Sequence, residues 1–265
     1  MSEQDSANLP ASNSASPRLG IVTPLANEED TIDEFLKRVL VYLEKDDRIF
    51  CVIDKVCKDS TRAKVDAAAA ADPRIVPVWS PENRCVVDAY FRGYRAALEH
   101  NCRWILEMDG GLSHVPEQIP RFLEKMEAGF DYAAGCRFGY GGKFHGKLSR
   151  WFVSWGGTIA ANTLLGTHMK DMCSGFECFT NKALSHVVAH GVLSRANFFQ
   201  TEIRFILRDW NWVEVPITYY GPPKGVPKSS VKEAFRILFT LRKSRNKQPE
   251  EKPVAADVNS GTRVG

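Results

Sequence analysis

The 265-residue sequence lacks the run of about 20 apolar residues that a membrane-spanning helix requires, so any membrane contact is expected at the surface. It also lacks a C-x-x-C pair. The seven cysteines, at 51, 57, 85, 102, 136, 173 and 178, form an odd set scattered mostly through apolar runs. That pattern argues against a zinc ribbon or a disulfide framework and suits reduced thiols in a cytoplasmic protein; Cys173 and Cys178 have no matching second pair. No G-x-G-x-x-G follows the first apolar run, which excludes the dinucleotide-binding fingerprint. Strong charge of one sign is missing too. With 35 Lys and Arg against 32 Asp and Glu, the formal net charge of +3 is too mild to indicate a nucleic-acid partner. The first residues, MSEQDSANLPASNSASPR, offer neither a basic start nor an apolar stretch and so do not read as a secretory signal. By composition, 1–17 is expected to be a disordered lead and 247–265 a disordered tail, leaving 18–246 as one domain. A chain that is 44% hydrophobic and 25% charged can build one large core over that length.

What is present is an alternation. Residues 19–22, 49–53, 75–79, 104–108 and 132–135 read as strands, and 30–43, 60–71 and 86–100 between them read as helices. In the first helix Ile32, Phe35, Leu36, Val39, Leu40 and Leu43 share one face, the stripe a core-facing helix needs. Strand, helix, strand, helix predicts an α/β domain with a single doubly wound, mostly parallel, Rossmann-like sheet joined by right-handed crossovers. Beyond it, 147–165, 198–210 and 231–243 read as a C-terminal helical region, and the strand VEVPITYY leads into the loop GPPKGVPKSS. The last helix sets Phe235, Leu238, Phe239 and Leu241 beside Arg236, Arg242 and Lys243. It is either a core helix with a solvated basic end or an interfacial helix meeting anionic lipid.

The stretch WILEMDGGLSHVPEQ, residues 104–118, carries the clearest chemical signal. It places Asp109 at the C-terminal end of a buried strand, where an open α/β sheet forms its ligand crevice. Gly110 and Gly111 let a bulky phosphorylated ligand approach the backbone.

A series of segments in order, spanning roughly 19–243, resembles the inverting family-2 glycosyltransferases of the GT-A fold and, within them, the dolichyl-phosphate mannose synthase type. GIVTPLANEEDTI resembles the Pro-x-x-Asn-Glu strand exit, which implies nucleotide contacts from Pro24 and Glu28. CVIDKVCKDST resembles the Asp-Asp-Gly-Ser-x-Asp-Gly-Thr loop; Asp54 would contact the nucleotide base, while Lys55, Val56, Cys57 and Ser60 depart from the pattern. The Asp109 segment is similar to the Asp-x-Asp metal motif, with Gly111 standing where the second acid is usual. AAGCRFGYGGKFHGKLSRW resembles the Gly-Ser-Arg-Tyr turn and Gly-Gly loop, and implies that Arg137 contacts phosphate. DMCSGFECF and FFQTEI resemble the Asp-x-Thr-Ser-Gly-Phe-Arg and Phe-Gln-x-Glu segments, implying sugar and acceptor contacts from Asp171, Ser174 and Gln200, and a catalytic role for Glu202. Spacing puts Gln200 and Glu202 on different helix faces. The last loop resembles Arg-x-x-Gly-x-Ser-Lys, with Gly225 and Lys228 matched and Pro222 and Pro227 in place of the arginine and serine.

The resemblance implies inverting transfer of a hexose from a nucleotide-sugar to an acceptor, most naturally a polyprenyl or dolichyl phosphate. Asp109, Arg137 and Glu202 would be catalytic, with Asp109 holding a divalent cation, Mg²⁺ or Mn²⁺. A lipid phosphate is already an anion at neutral pH and needs no general base; a sugar hydroxyl would need one, with Asp109, Glu202 and Asp171 as candidates. Two other classes stay open: a soluble transferase for a hydroxyl acceptor, and a noncatalytic nucleotide-sugar-binding relative. The expected location is cytoplasmic, peripheral on the membrane face.

Overall fold

The computed structural model describes residues 16–221 and 228–244. The lead before residue 16, the loop 222–227 with Pro222, Lys224, Gly225 and Pro227, and the tail from 245 with Arg245 and Lys247 lie outside the described residues, as does the side chain of Lys228.

The first half follows the expected alternation: β1 (Leu19–Leu25), α1 (Ile32–Leu40), β2 (Arg48–Ile53), α2 (Thr61–Ala71), β3 (Ile75–Trp79), α3 (Val86–Glu99) and β4 (Trp104–Glu107). A 3-10 turn (Pro116–Gln118) opens α4 (Ile119–Glu127), followed by β5 (Tyr132–Cys136), β6 (Lys143–His145) and α5 (Leu148–Leu165). The chain then runs through β7 (Glu177–Thr180), α6 (Asn181–His190), α7 (Phe199–Ile206), β8 (Trp212–Pro216), β9 (Thr218–Tyr220) and α8 (Lys228–Ser244). The main sheet has seven strands in the order β3-β2-β1-β4-β7-β5-β8. Its one departure from parallel pairing is β7, antiparallel to both β4 and β5. At four residues, Glu-Cys-Phe-Thr, that strand is too short to declare a period.

Helices cover both faces. On one, Ile32, Phe35, Leu36 and Val39 of α1 pack with Val65 of α2 and Ile119, Phe122 and Met126 of α4. On the other, α3 meets α6, α7 and the inner edges of α5 and α8. Each fully buried Leu, Ile or Phe stabilises the fold by about 1.5–3 kcal/mol, which is why the α1 stripe fixes that helix on the sheet. The strand order turns back on itself between β1 and β4, so their C-terminal ends border an open crevice, the place where doubly wound sheets bind ligands. A separate parallel pair, β6 with β9, lies close to that crevice, tied to it by a bridge from His114 to Tyr219.

Candidate active site

Asp109 leaves the end of β4 at this switch point with its side chain 42% exposed. Its two oxygens are aimed by different elements: Tyr90 of α3 donates to Oδ1 at 2.8 Å, and Ser113 donates to Oδ2 at 2.9 Å. The backbone N–H of Asp109 donates to His114 Nδ1 at 3.1 Å, which leaves the imidazole proton for Nε2. His114 is buried between Phe176 and Tyr219, ring centroids 5.0 and 5.4 Å away, and burial lowers its pKa. It is a neutral prop beneath the carboxylate.

The two glycines after Asp109 have separate causes. A Cβ on Gly110 would run into Leu25 at the end of β1, so that glycine is a packing requirement. A Cβ on Gly111 would instead stand 2.9 and 3.0 Å from the two carboxyl oxygens of Glu28. Leu112 follows with φ of 59° and Asn27 precedes Glu28 with φ of 61°, so both loops at the crevice contain a non-glycine residue in the left-handed region.

The loop after β1 is laced to the loop after β2. Asn27 accepts from the Lys58 N–H at 2.8 Å, Glu28 N–H donates to Thr61 Oγ at 2.7 Å, and Glu29 N–H donates to Asp59 at 3.0 Å. Burial raises the Asp59 carboxyl, but hydrogen bonds from Thr61, Glu29 and Cys57 outweigh it and hold it down at about 2. Glu28 shifts the other way: partial burial pushes it up, and the charges of Asp109 and Asp59 add to that against the Thr31 hydrogen bond. Pro24 is half-buried at the end of β1, and Asp54, half-buried, accepts the Val56 N–H at 2.8 Å in a turn at the end of β2. Pro24, Glu28 and Asp54 thus all lie at the C-terminal ends of adjacent strands.

Arg137 follows β5 and is buried. Its Nε and Nη2 clasp Asp171 at 2.7 and 2.8 Å, and its own N–H donates to the same carboxylate at 2.9 Å. Burial raises the Asp171 carboxyl, and the Arg137 guanidinium overrides this to hold it below the usual range. Asp171 is wholly enclosed and committed to Arg137, which makes it a positioning group rather than an available base. The guanidinium lies 5.3 Å from the Tyr219 ring, and Tyr219 in turn meets His114 and, at 3.4 Å, Arg150. Arg137 and Asp109 therefore flank one aromatic wall formed by His114 and Tyr219.

The remaining expected residues divide. Ser174 is buried, its Oγ accepting the Phe176 N–H at 3.4 Å, and it packs beneath the site rather than facing out of it. Gln200 lies over Gly175 and donates to Glu107 at 3.2 Å. Glu202, on the other face of α7, accepts the N–H groups of Leu193 and Ser194 at 2.9 and 2.8 Å. The structure does not bring Glu202 to Asp109; it uses that carboxylate to close the 193–194 loop. Lys228 opens α8, with its side chain outside the described residues. Sequence reasoning gave no role to Tyr90, Ser113, His114 or Tyr219. Ser113 and His114 stood in the Asp109 segment itself, whereas Tyr90 is 19 residues away on a helix with no local mark.

Among the described residues, no three His, Cys, Asp or Glu side chains converge as a metal cage. The donors that do fit a hard cation are oxygens, Asp109 and the Glu28 carboxylate against Gly111, a set that suits Mg²⁺ or Mn²⁺ completed by a ligand's phosphates and water.

Residues 20–188 match the model of Glycosyl transferase family 2. The chain is 29% identical over 216 residues to undecaprenyl-phosphate mannosyltransferase of Micrococcus luteus, covering 80% of this chain and 88% of that protein. It is also 29% identical over 246 residues to polyprenol monophosphomannose synthase of Mycolicibacterium smegmatis, covering 90% and 91%. Its fold matches that of glucosyl-3-phosphoglycerate synthase from Mycobacterium tuberculosis, crystallised with Mn²⁺, uridine diphosphate and phosphoglyceric acid, with a TM-score of 0.63, 14% identity and coverage of 89% and 80%. A doubly wound sheet with its carboxylate at the switch point, and a family match over most of the described residues, lead to one conclusion: the chain is a glycosyltransferase of the GT-A fold and belongs to glycosyl transferase family 2.

Proposed function

We propose that this enzyme transfers a hexose, mannose being the sugar its curated relatives are named for, from a nucleotide-sugar to a polyprenyl phosphate with inversion at the anomeric carbon. The observation that carries the reading is the pairing of a switch-point carboxylate, Asp109, with a second surface suited to lipid. On α5, Leu148, Phe152, Val153, Trp155 and Ile159 are exposed, and on α8 so are Phe235 and Phe239. Trp151 and Trp155 stack at 5.5 Å. Basic Arg236, Arg242 and Lys243 are exposed on the same stretch of α8 as its outward phenylalanines, while Ile237, Leu238 and Leu241 turn inward to the core. The inward face of α8 is thus a core face, and its outward face is the one assigned here to anionic lipid. Among the described residues no helix is long and apolar enough to cross a membrane, so this amphipathic face would hold the enzyme peripherally.

In the proposed reaction an oxygen of the lipid phosphate bonds to the anomeric carbon while the bond from that carbon to the diphosphate breaks. The electron pair leaves with the nucleoside diphosphate. The acceptor is already anionic, so no proton need be removed, which accords with Asp171 being committed to Arg137 and Glu202 to a loop. Pro24, Glu28 and Asp54 would line the nucleotide, and Arg137, held rigid by Asp171, would present positive charge toward the diphosphate. Gln200 would face the sugar and acceptor, with Ser174 packed behind it and Lys228 contributing charge from the start of α8. A divalent cation bound at Asp109 would act as a Lewis acid toward the departing diphosphate.

The test is transfer from labelled GDP-mannose, GDP-glucose, UDP-mannose and UDP-glucose to polyprenyl phosphate in liposomes, run beside water-soluble saccharides and phosphoglycerate. Organic-extractable label supports the reading. Label confined to a water-soluble acceptor overturns it in favour of a soluble transferase.

A further inference from the structure

We propose that Glu28 is the second carboxylate of the divalent-cation site, reaching from the β1–α1 loop into the space that Gly111 leaves open. This rests on the nucleotide-sugar reading of the site, because two carboxylates are a complete set only when a diphosphate adds its own oxygens.

The chain has glycine where the resemblance leads one to expect an acid, and the space at that position is not empty. Both carboxyl oxygens of Glu28 lie against it, 2.9 and 3.0 Å from where a Cβ at residue 111 would be. Gly110, one residue earlier, is occupied by the apolar Leu25, so the approach of a carboxylate is particular to 111. Glu28 is also held. Its carbonyl accepts the N–H groups of Thr31 and Ile32 at 3.0 and 2.8 Å, its N–H is fixed on Thr61, and its Oε2 accepts the Thr31 hydroxyl at 2.9 Å. A glutamate tied at its backbone and at one oxygen is preorganised to present the other.

Asp109 is prepared in the same manner. Tyr90 and Ser113 each occupy one lone pair of its two oxygens, and the side chain remains 42% exposed toward the crevice. A carboxylate oxygen has a second lone pair to offer a cation. The two acids come from the two strands that flank the switch point, β1 and β4. The loss of one acid from the β4 loop is thus matched by an acid from the β1 loop directly over the vacated position. With no third side-chain acid, His or Cys converging among the described residues, the protein alone holds the ion weakly, and nucleotide and ion bind together.

The experiment measures free Mn²⁺ by electron paramagnetic resonance, with saturating UDP or GDP, for the wild type, Glu28→Gln, Gly111→Asp and the double variant. Isothermal titration gives nucleotide affinity with and without Mn²⁺, and thermal melting confirms that each variant is folded. Loss of a ligand is expected to weaken Mn²⁺ in the nucleotide complex by on the order of tenfold or more in Glu28→Gln, since even a supporting group outside the ligand set accounts for roughly that much. Nucleotide affinity should fall more with Mn²⁺ present than in its absence. Adding Gly111→Asp to Glu28→Gln should restore Mn²⁺ binding, because the acid then returns to the β4 loop. Unchanged Mn²⁺ affinity in folded Glu28→Gln overturns the proposal, and so does an equal loss of nucleotide affinity with and without Mn²⁺, which would make Glu28 a nucleotide contact only. If the wild type binds UDP or GDP but no Mn²⁺, the cation site fails while the nucleotide-sugar reading stands.

Discussion

Glu107 of β4 and Glu177 of β7 face each other across the antiparallel pair, both wholly buried, with a single guanidinium, that of Arg204, paired to Glu177. Tyr94 donates to Glu107, and Gln200 donates to its other oxygen. Burial pushes Glu177 up to about 7, though Arg204 opposes the shift; burial and the facing Glu177 charge push Glu107 well above the carboxylate range. One carboxyl of the pair is therefore neutral at physiological pH. This network lies directly beneath Asp109, two residues along the strand, and it fixes the position of Gln200.

Both carboxyls have a folded pKa raised above the unfolded value of about 4.3, so the folded state binds more protons in that window. Their contribution to stability is full below the unfolded pKa and is lost as pH rises through the folded values. His114, whose pKa is lowered, works in the opposite direction below about pH 6.5, so the comparison is between two proteins that share it. Glu107→Gln keeps a neutral side chain in place. Urea unfolding at pH 5 and pH 7.5 should show the wild type losing more stability over that interval than Glu107→Gln; equal losses would refute the neutral carboxyl.

Arg204 is wholly buried, so replacing it strands the Glu177 charge. Arg204→Met should cost about 3–5 kcal/mol in denaturant unfolding, the penalty for an uncompensated buried charge. Adding Glu177→Gln should recover much of it. A double variant no better than Arg204→Met would show that the cost is packing alone.

Glu202 was expected to be catalytic, and its hydrogen bonds to Leu193 and Ser194 place it elsewhere. Glu202→Gln should lower stability by about 1.5–3 kcal/mol, the range for hydrogen bonds to a charged group, with kcat retained. A loss of kcat in the stable, folded variant would return it to the active site.

Asp109 contributes little to packing, since its carboxylate is half exposed. Asp109→Asn should stay folded, losing no more than one of the hydrogen bonds from Tyr90 and Ser113, and reduce kcat by about 10²-fold or more, as removal of a preorganised electrostatic group does. Steady-state kinetics with a saturating donor decide this, and undiminished turnover would remove Asp109 from the reaction.

The outward phenylalanines of α8 should matter for lipid and not for nucleotide. Phe235→Ser with Phe239→Ser should reduce flotation with anionic liposomes and transfer to polyprenyl phosphate, while leaving UDP and GDP affinity intact. Basic residues near an anionic surface add about 1 kcal/mol each, so wild-type flotation should also fall with salt. Flotation equal to wild type would exclude this face as the membrane contact.

The sheet was legible in sequence because its parallel strands are apolar runs separated by one-sided helices; α1 shows this in Ile32, Phe35, Leu36 and Val39. The antiparallel β7 was not, being four residues long with its pairing set by neighbours far away in the chain. Asp109 was legible from its strand-end position. Its supports were not: Tyr90 gives no local sign of aiming at Asp109, and the clasp of Arg137 on Asp171 joins residues 34 apart. Gly111 reads in sequence as a missing acid, and only the fold brings Glu28 over it.

Nuclear magnetic resonance of the product from an α-linked nucleotide-sugar and polyprenyl phosphate tests inversion and acceptor together. The expected result is a lipid-linked hexosyl phosphate with a β anomeric linkage, formed by the wild type and lost in Asp109→Asn. An α-linked product, or sugar found only on a water-soluble acceptor, would contradict the assignment.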